Sequence, residues 1–259
     1  MATIIYPSPV FGPVHSRRLG VSLGINLLPD DGKRCTFDCI YCECGFNGDF
    51  PSHKPFPKKE EVFEALEKTL KGRKEAGLPL DDITFAGNGE PTMNPEFPEI
   101  VDGIIAIRDK YYPDVKLSVL SNSTFIVQGR IRKALMKIDN NILKLDTIDP
   151  EYIRKVDRPT SKYDVQTIID NLKKFNGHVI IQTMFMKGKN MKGEDVDNTS
   201  DKFVLPWLET VKSIRPQKVT VYTIDRETPD PYLQKATHAE LDRIVDLLAA
   251  EGIAASASY

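Results

Sequence analysis

The chain has no apolar run that approaches the ~18 consecutive residues from which a membrane-spanning helix is recognised, so we expect no membrane segment. It also has no surplus of charge, since 35 basic and 37 acidic residues leave a formal net charge of −2. A protein that binds nucleic acid through its overall field usually carries a basic excess. Any polyanionic partner would therefore have to be bound by a local group of basic residues.

Cysteine is scarce as well, with four residues that all lie between positions 35 and 44. Structural zinc sites usually combine two separated C-x₂₋₄-C pairs, and here there is no second pair. The chain begins without a charged and then apolar signal peptide, so we expect a cytoplasmic protein with reduced thiols rather than disulfides. A closed four-thiolate site that includes Cys44 stays open as an alternative.

Three of the cysteines, Cys35, Cys39 and Cys42, have the spacing C-x₃-C-x₂-C. A [4Fe–4S] cluster normally takes four thiolates, so a loop with three leaves one iron open to a small molecule. The spacing therefore indicates an iron–sulfur cluster that does chemistry rather than one that only stores an electron. Cys44 is then a bystander thiol or a donor of a proton or hydrogen atom.

Hydrophobic periodicity predicts an α/β fold with a parallel sheet. Six β-branched stretches are each followed by a pattern of helical period, as in successive βα units. A length of 259 residues suits one such domain, with residues 1–20 as an N-terminal extension and 28–57 as a cluster-binding loop. We therefore expect a partial TIM-type (β/α)6 barrel that is open on one side. The predicted strands are Val21–Leu27, Ile83–Phe85, Leu117–Leu120, Ile142–Leu145, Val179–Met186 and Val219–Ile224.

The polar motifs follow the predicted strands in order. The cysteine loop follows the first strand, Gly87–Pro91 the second, Ser121–Ser123 the third, and Asp146 the fourth. In parallel α/β barrels the loops at the carboxyl ends of the strands meet at one face and carry the functional groups. The motifs are therefore expected to converge on one site.

The cysteine loop, with the aromatic Tyr41 just before its last cysteine, resembles the signature of the radical S-adenosylmethionine (radical SAM) enzymes. The resemblance implies that Cys35, Cys39 and Cys42 hold a [4Fe–4S] cluster whose open iron binds the amino and carboxylate groups of S-adenosylmethionine. One electron from a donor such as flavodoxin or ferredoxin would then release methionine and a 5′-deoxyadenosyl radical, which abstracts hydrogen from a substrate. Tyr41 would lie near the adenine.

The segment Gly87-Asn88-Gly89-Glu90 resembles the family's glycine-glycine-glutamate loop, with Asn88 in place of one glycine. The resemblance implies that this loop binds the amino group of S-adenosylmethionine. An ordinary turn with Asn88 in a left-handed conformation is the alternative. Ser121 and Asn122 resemble positions that bind the ribose or carboxylate of the cofactor, although a Ser-Asn-Ser run also suits a helix cap.

Four residues on later strands complete the candidate site. Lys144 and Asp146 alternate along one strand, so they share a face, where they either line a cavity or are solvated. Met184 could pack against adenine or belong to the core. Tyr222 closes the sixth strand, where family members often bind adenine through backbone groups.

Several further motifs resemble the short radical SAM proteins related to the wybutosine-synthesising tRNA enzymes. The chain lacks the additional cysteines of a second cluster, so the substrate class stays open among a small molecule, RNA and a protein. RNA modification is one alternative, supported by the basic residues Arg130, Arg132, Lys133 and Lys137. An activase of a partner protein and a non-catalytic electron-transfer protein are the others. The motifs are Arg17–Gly20, Gly87–Thr92, Lys144–Asp146, Asp157–Pro159 and Tyr222–Arg226.

Overall fold

The structure is a computed structural model that describes residues 4–16 and 18–259. Arg17 of the basic motif therefore lies outside the described residues. Ten strands are present in this part of the chain. They are β1 (Val10–Ser16), β2 (Gly20–Ile25), β3 (Asp82–Phe85), β4 (Lys116–Ser121), β5 (Asn140–Lys144), β6 (Ile180–Met184), β7 (Met186–Gly188), β8 (Lys218–Tyr222), β9 (Leu233–Lys235) and β10 (Ala255–Ser258).

Eight of the strands form one sheet in the order β1-β2-β3-β4-β5-β6-β8-β10. Every pair from β2 to β10 is parallel, and β1 is antiparallel to β2. Because β1 and β10 are not paired with each other, the sheet is an open half-barrel, which confirms the predicted partial barrel. Strands β7 and β9 form a separate antiparallel pair beyond β6 and β8.

Two strands of the main sheet were not predicted from the sequence. β10 reads Ala-Ser-Ala-Ser and so lacks the β-branched and aromatic residues that mark a strand. β1 contains a glycine and a proline, both of which weaken a strand signal. Pairing with β8 and with β2 supplies the hydrogen bonds that local preference does not.

Seven α-helices accompany the strands in the described part of the chain, and the apolar faces of the first, fifth and last are largely buried. In the last helix the hydroxyl of Thr237 accepts from the Glu240 amide, while the Glu240 carboxylate accepts from the Thr237 amide at 2.7 Å. These two bonds form a reciprocal cap at the start of the helix. The helices are α1 (Lys59–Glu75), α2 (Phe97–Tyr111), α3 (Gly129–Leu135), α4 (Pro150–Val156), α5 (Val165–Leu172), α6 (Asp201–Ile214) and α7 (His238–Ala250).

The two faces of the parallel sheet differ in chemistry. The face covered by helices carries apolar side chains such as Leu23, Phe85 and Val119, all within the main core. The alternate residues of the same strands point to the concave face, and many of them are polar. They include Ser22, Thr84, Ser118, Asn140, Gln182 and Thr220. None of the helices formed by residues 4–16 and 18–259 is long and apolar enough to cross a membrane.

Candidate functional site

The cysteine loop leaves the sheet after β2 and is hydrogen-bonded to the glycine loop that follows β3. The Arg34 amide donates to the Asn88 carbonyl at 2.8 Å, and the Glu90 amide donates to the Arg34 carbonyl at 3.3 Å. Gly89 lies between these bonds with φ of +139°, and a Cβ there would stand 1.9 Å from the Arg34 carbonyl oxygen. Only glycine fits this position, because the two loops pass each other in backbone contact.

On its other side the cysteine loop is fixed to the end of α4. The Asp38 amide donates to the Asp157 carbonyl at 3.0 Å, and the Ile40 amide donates to the Val156 carbonyl at 3.0 Å. The Arg158 guanidinium lies 3.2 Å from the Asp38 carboxylate. The thiols are therefore presented by a loop whose backbone is held from two directions.

The four thiols are free, with Cys39 and Cys44 buried and Cys35 and Cys42 half-buried. Burial raises the pKa of Cys35 to about 12 and that of Cys39 well above its usual value, which favours the protonated thiol. The pKa of Cys42 is lowered to about 6, first by a hydrogen bond from the Cys44 thiol, against the effect of burial. The Lys33 ammonium opposes the effect of burial and lowers the pKa of each of the three. Three free thiols beside a cation match the donor set of a thiolate-bound cluster.

A cubane binds each thiolate through a separate iron, so its ligands need not crowd around one ion. Across residues 4–16 and 18–259 no three His, Cys, Asp or Glu side chains are grouped so that they could hold a single metal ion.

Glu90 ties the glycine loop to the end of β4. Its carboxylate is 1% exposed and accepts from the Thr92 amide at 3.1 Å, the Ser121 hydroxyl at 2.9 Å and the Asn122 amide at 2.6 Å. The Thr92 hydroxyl is a further donor. Burial raises the pKa of Glu90 although each of these bonds opposes the shift. Glu90 and Ser121 are thus brought together, as the order of strands predicted.

The Asn88 side chain is bonded to the N-terminal segment and to the chain that follows β2. Its side-chain amide donates to the carbonyls of Tyr6 and Pro29, both at 2.9 Å, and its side-chain oxygen accepts from the Tyr6 amide at 2.7 Å. The polar atoms of this side chain are therefore used by the N-terminal segment. Gly87, with φ of +138°, packs against the Asn26 side chain, and its carbonyl accepts from the Cys44 thiol at 3.6 Å.

Asn122 reaches from the end of β4 back to the cysteine loop. Its side-chain nitrogen lies 2.9 Å from the Thr36 hydroxyl and 3.5 Å from the Cys35 sulfur. The oxygen of the same amide accepts from the Thr124 amide at 3.0 Å. The Asn122 side chain thus closes a turn with Thr124, but no side chain caps the short 3-10 helix Thr124–Val127 that follows. The nitrogen of the Asn122 side chain is directed at the Cys35 thiol.

Lys144 and Asp146 are buried rather than solvated at an edge of the sheet. Their side chains are 13% and 1% exposed and are in direct contact. The Lys144 ammonium also contacts the Tyr41 hydroxyl and lies 2.9 Å from the Asp157 carboxylate. Tyr41 donates to Asp146 at 2.5 Å, and Asp157 accepts from the Cys39 thiol at 3.8 Å. A buried charge network thus leads from the cysteine loop to β5.

Met184 and Tyr222 pair across β6 and β8 in the register of the sheet. Met184 is buried in a second apolar cluster with Ile40 and Val156, against which Tyr41 and Tyr222 pack. The Met184 amide donates to the Asp146 carboxylate at 2.9 Å. Both residues therefore border the charge network on the concave side of the sheet.

One functional candidate, Lys33, was not recognised from the sequence, and a second, Arg18, belongs to the Arg17–Gly20 motif but its contacts were not predicted. Lys33 is a buried lysine next to the thiols, and in a loop sequence a lysine is normally solvated. Arg18 extends from the turn between β1 and β2 to Gln182 on β6, where its guanidinium donates at 2.8 Å. Its carbon lies 5.5 Å from the Tyr222 ring centre. No pattern along the chain signals either contact.

An open α/β half-barrel with a three-thiol loop at the carboxyl end of its first parallel strand defines the class of protein. A family model described as the radical SAM superfamily matches residues 31–203. The chain belongs to this superfamily and is a radical SAM enzyme, so the resemblance read from the cysteine loop is confirmed.

Sequence and structure comparisons agree with this assignment. A UPF0026 protein of Helicobacter pylori strain J99 is 33% identical over 224 residues, which cover 84% of this chain and 66% of the relative. The chain thus spans about two thirds of that relative's length. A radical SAM methyltransferase from Sphaerobacter thermophilus has a TM-score of 0.67 at 16% identity, covering 92% of this chain and 66% of the other. TYW1 with a lysine–pyruvate adduct has a TM-score of 0.60 at 15% identity, and the match covers 88% of this chain and 73% of TYW1. At these identities the two structures show a common fold.

Proposed function

We propose that this chain, as one radical SAM core domain over residues 1–259, holds one [4Fe–4S] cluster through Cys35, Cys39 and Cys42. The cluster would act on S-adenosylmethionine bound beside the glycine loop. The observation that carries the proposal is the convergence of three free thiols, one buried and two half-buried, with Glu90 and the Lys144 network at the carboxyl ends of β2 to β5. A reducing compartment such as the cytoplasm suits free thiols of this kind.

When bound, the cluster would supply one electron that cleaves S-adenosylmethionine to methionine and a 5′-deoxyadenosyl radical, which takes hydrogen from a substrate. The protein's own contribution is to hold the reacting parts in line. Glu90 fixes the glycine loop against β4, so that the backbone of Gly87 and Gly89 stays close to the thiols. The cofactor's amino group would bind along this loop.

The buried network of Lys144, Asp146, Asp157 and Tyr41 forms a second charged side of the site. Lys144 is the shared cation of Asp146 and Asp157, and Tyr41 donates to Asp146. The methionyl carboxylate would compete with Asp157 for the Lys144 ammonium, while Tyr41, Met184 and Tyr222 offer apolar area for adenine. These roles are proposals that rest on proximity and charge.

The basic residues that suggested RNA are mostly used within the fold. Arg130 donates to the Pro95 carbonyl at 3.0 Å, Arg132 to Asn171 at 2.9 Å, and Lys137 pairs with Asp102 at 2.6 Å. They lie on and after α3, away from the thiols. The structure thus gives no particular support to an RNA substrate over a small molecule or a protein.

Anaerobic reconstitution with iron and sulfide, followed by dithionite and S-adenosylmethionine, tests the proposal. We expect about four irons per chain and release of 5′-deoxyadenosine from the wild-type protein. Cys39→Ala should lose both. Cys44→Ala is the matched control, because it removes a thiol of the same loop that the three-thiolate site does not need. Loss of the cluster in Cys44→Ala would instead support a closed, four-thiolate electron-transfer centre.

Glu90→Gln tests the glycine loop separately from the cluster. The amide keeps the shape of the carboxylate but removes its charge and places an N–H group among donors, so the loop should shift relative to β4. We expect iron content to stay near wild type while the affinity for S-adenosylmethionine falls roughly tenfold or more, measured by equilibrium dialysis under anaerobic conditions. An unchanged affinity would show that this loop does not bind the cofactor.

A further inference from the structure

The least expected group beside the thiols is a buried cation. The Lys33 side chain is 1% exposed, and its ammonium donates to the Gly45 carbonyl at 2.7 Å. The nearest carboxylate with which it pairs is that of Asp38, at 3.8 Å, which is beyond hydrogen-bond length. A buried ammonium is normally balanced by a close carboxylate. Here the loop provides a carbonyl and a more distant acid instead.

The Lys33 ammonium is enclosed by the cysteine loop. The Gly45 carbonyl that it bonds lies three residues after Cys42, and the Gly45 amide donates back to the Cys42 carbonyl at 2.9 Å. Asp38, the more distant acid, lies between Cys35 and Cys39. The buried cation therefore lies within the loop that carries all three proposed ligands.

The position of Lys33 is set by its backbone. Its amide donates to the Phe50 carbonyl at 2.8 Å, and residue 33 forms a parallel bridge with Pro51. The neighbouring Arg34 amide is bonded to the Asn88 carbonyl. The chain is therefore fixed on both sides of the Cα atom, so the side chain is directed under the cysteine loop rather than toward solvent.

We propose that Lys33 is a positioning residue that tunes the cluster, holding its charge within the cysteine loop so that the reduced state is stabilised. The proposal rests on the proposed function, since it needs the cluster on Cys35, Cys39 and Cys42. Three thiolates leave an oxidised [4Fe–4S] cluster with net negative charge, and the electron taken from a low-potential reductant adds more. A fixed cation nearby favours that electron, because net charge, hydrogen bonds to sulfur and burial set the potential of such clusters.

A second donor near the thiols provides an internal comparison. The Asn122 side-chain nitrogen lies 3.5 Å from the Cys35 sulfur and is neutral. A neutral donor stabilises negative sulfur less than a cation does. Lys33 should therefore have the larger effect of the two on the reduction of the cluster.

The test is a redox titration of the reconstituted protein without S-adenosylmethionine, followed by electron paramagnetic resonance of the reduced cluster. We expect Lys33→Met to keep about four irons and to hold at least tenfold less reduced cluster at a fixed potential, which is a shift of about 59 mV for a one-electron couple. Lys33→Arg should restore most of the wild-type ratio, because it keeps the charge. The matched control is Lys54→Met, which removes an exposed lysine paired with Asp30 and should leave the ratio unchanged.

The outcomes separate the two proposals. A Lys33→Met cluster with the wild-type ratio would overturn the tuning role and leave the proposed function intact. Loss of the cluster in Lys33→Met but not in Lys33→Arg would support the need for charge. Loss in both variants, with unchanged thermal unfolding of the apoprotein, would show that the shape of the lysine stem matters and not its charge, which overturns the proposal. A wild-type chain that assembles no cluster would overturn both.

Discussion

The two faces of the parallel sheet carry different kinds of side chain. The face toward the helices is covered by apolar side chains that are almost completely removed from water, among them Ile83, Phe85 and Leu117. The concave face carries hydroxyls, amides and charges on the alternate residues of the same strands. A closed TIM barrel fills its interior with layers of branched apolar side chains. Here the helix-facing core supplies the packing, and the concave face is left for polar groups.

The polar groups of the concave face are satisfied by one another across neighbouring strands. The Ser22 and Thr84 hydroxyls are 2.7 Å apart, and the Ser118 hydroxyl donates to the Asp82 carboxylate at 2.5 Å. Asn140 donates to Ser118 at 3.0 Å. Such a ladder avoids the cost of unpaired buried polar groups. Substitutions on the two faces should therefore change the free energy of unfolding by different amounts and with a different dependence on pH.

The largest loss of stability is expected from a substitution on the helix-facing side of the sheet. Phe85→Ala removes a fully buried ring whose centre lies 5.4 Å from that of Phe97. The lost burial and the cavity should lower the free energy of unfolding by about 3–5 kcal/mol, measured by urea denaturation of the apoprotein. The exposed Leu78 is the control, since Leu78→Ala should change stability by less than about 0.5 kcal/mol. Equal losses in both variants would contradict the asymmetry of the two faces.

An intermediate effect on the free energy of unfolding, one that depends on pH, is expected from Asp82. Burial raises its pKa to about 6, against the hydrogen bonds from Ser118 and Thr84, whereas an unfolded Asp titrates at about 3.9. Between these values the folded chain holds a proton that the unfolded chain has lost. The folded state is therefore favoured by this group below about pH 4, and that contribution is lost as pH rises through about 6.

Asp82→Asn removes this titration and keeps the shape of the side chain. At pH 7.5 the variant should be more stable than the wild type by up to about 3 kcal/mol, less the cost of rearranged hydrogen bonds, and the difference should vanish near pH 4. Urea denaturation at several pH values measures both. Asp139→Asn is a contrasting control, because the pKa of Asp139 is lowered. Its loss should destabilise the protein near neutral pH.

The smallest effect is expected from Ser22. Ser22→Ala removes one hydroxyl of the ladder, while Thr84 keeps its bond to the Asp82 carboxylate at 2.5 Å. The cost should be about 1 kcal/mol, the typical contribution of one neutral hydrogen bond. A loss as large as that of Phe85→Ala would mean that the polar ladder, and not the apolar core, determines the stability of the sheet.

Sequence reasoning was most successful where a short pattern carries the chemistry. The spacing of Cys35, Cys39 and Cys42 predicted the family, which the comparison over residues 31–203 confirms. Alternation along β5 predicted that Lys144 and Asp146 share a face, and the two side chains are in contact. Hydrophobic period predicted the helix that follows the sixth predicted strand. In each case the signal lies within a few residues of the chain.

It did not reveal contacts that depend on a distant segment. The Asn88 side chain is bonded to Tyr6, 82 positions away, and no local pattern indicates this contact. β10 becomes a strand because β8 offers it a free edge, although Ala-Ser-Ala-Ser has little preference for one. Lys33 was passed over because a lysine beside a loop is usually solvated.

The sequence by itself determined the parallel α/β architecture, the three-thiol loop and the order in which polar motifs follow the strands, because periodicity and spacing are local properties. Only the tertiary structure decided which polar atoms meet. The glycine loop touches Arg34, Glu90 binds the end of β4, and Lys33 points under the thiols, since strands distant in sequence become neighbours in the sheet. Burial then makes each of those contacts important for stability, because a charge removed from water is stabilised only by the few groups close to it.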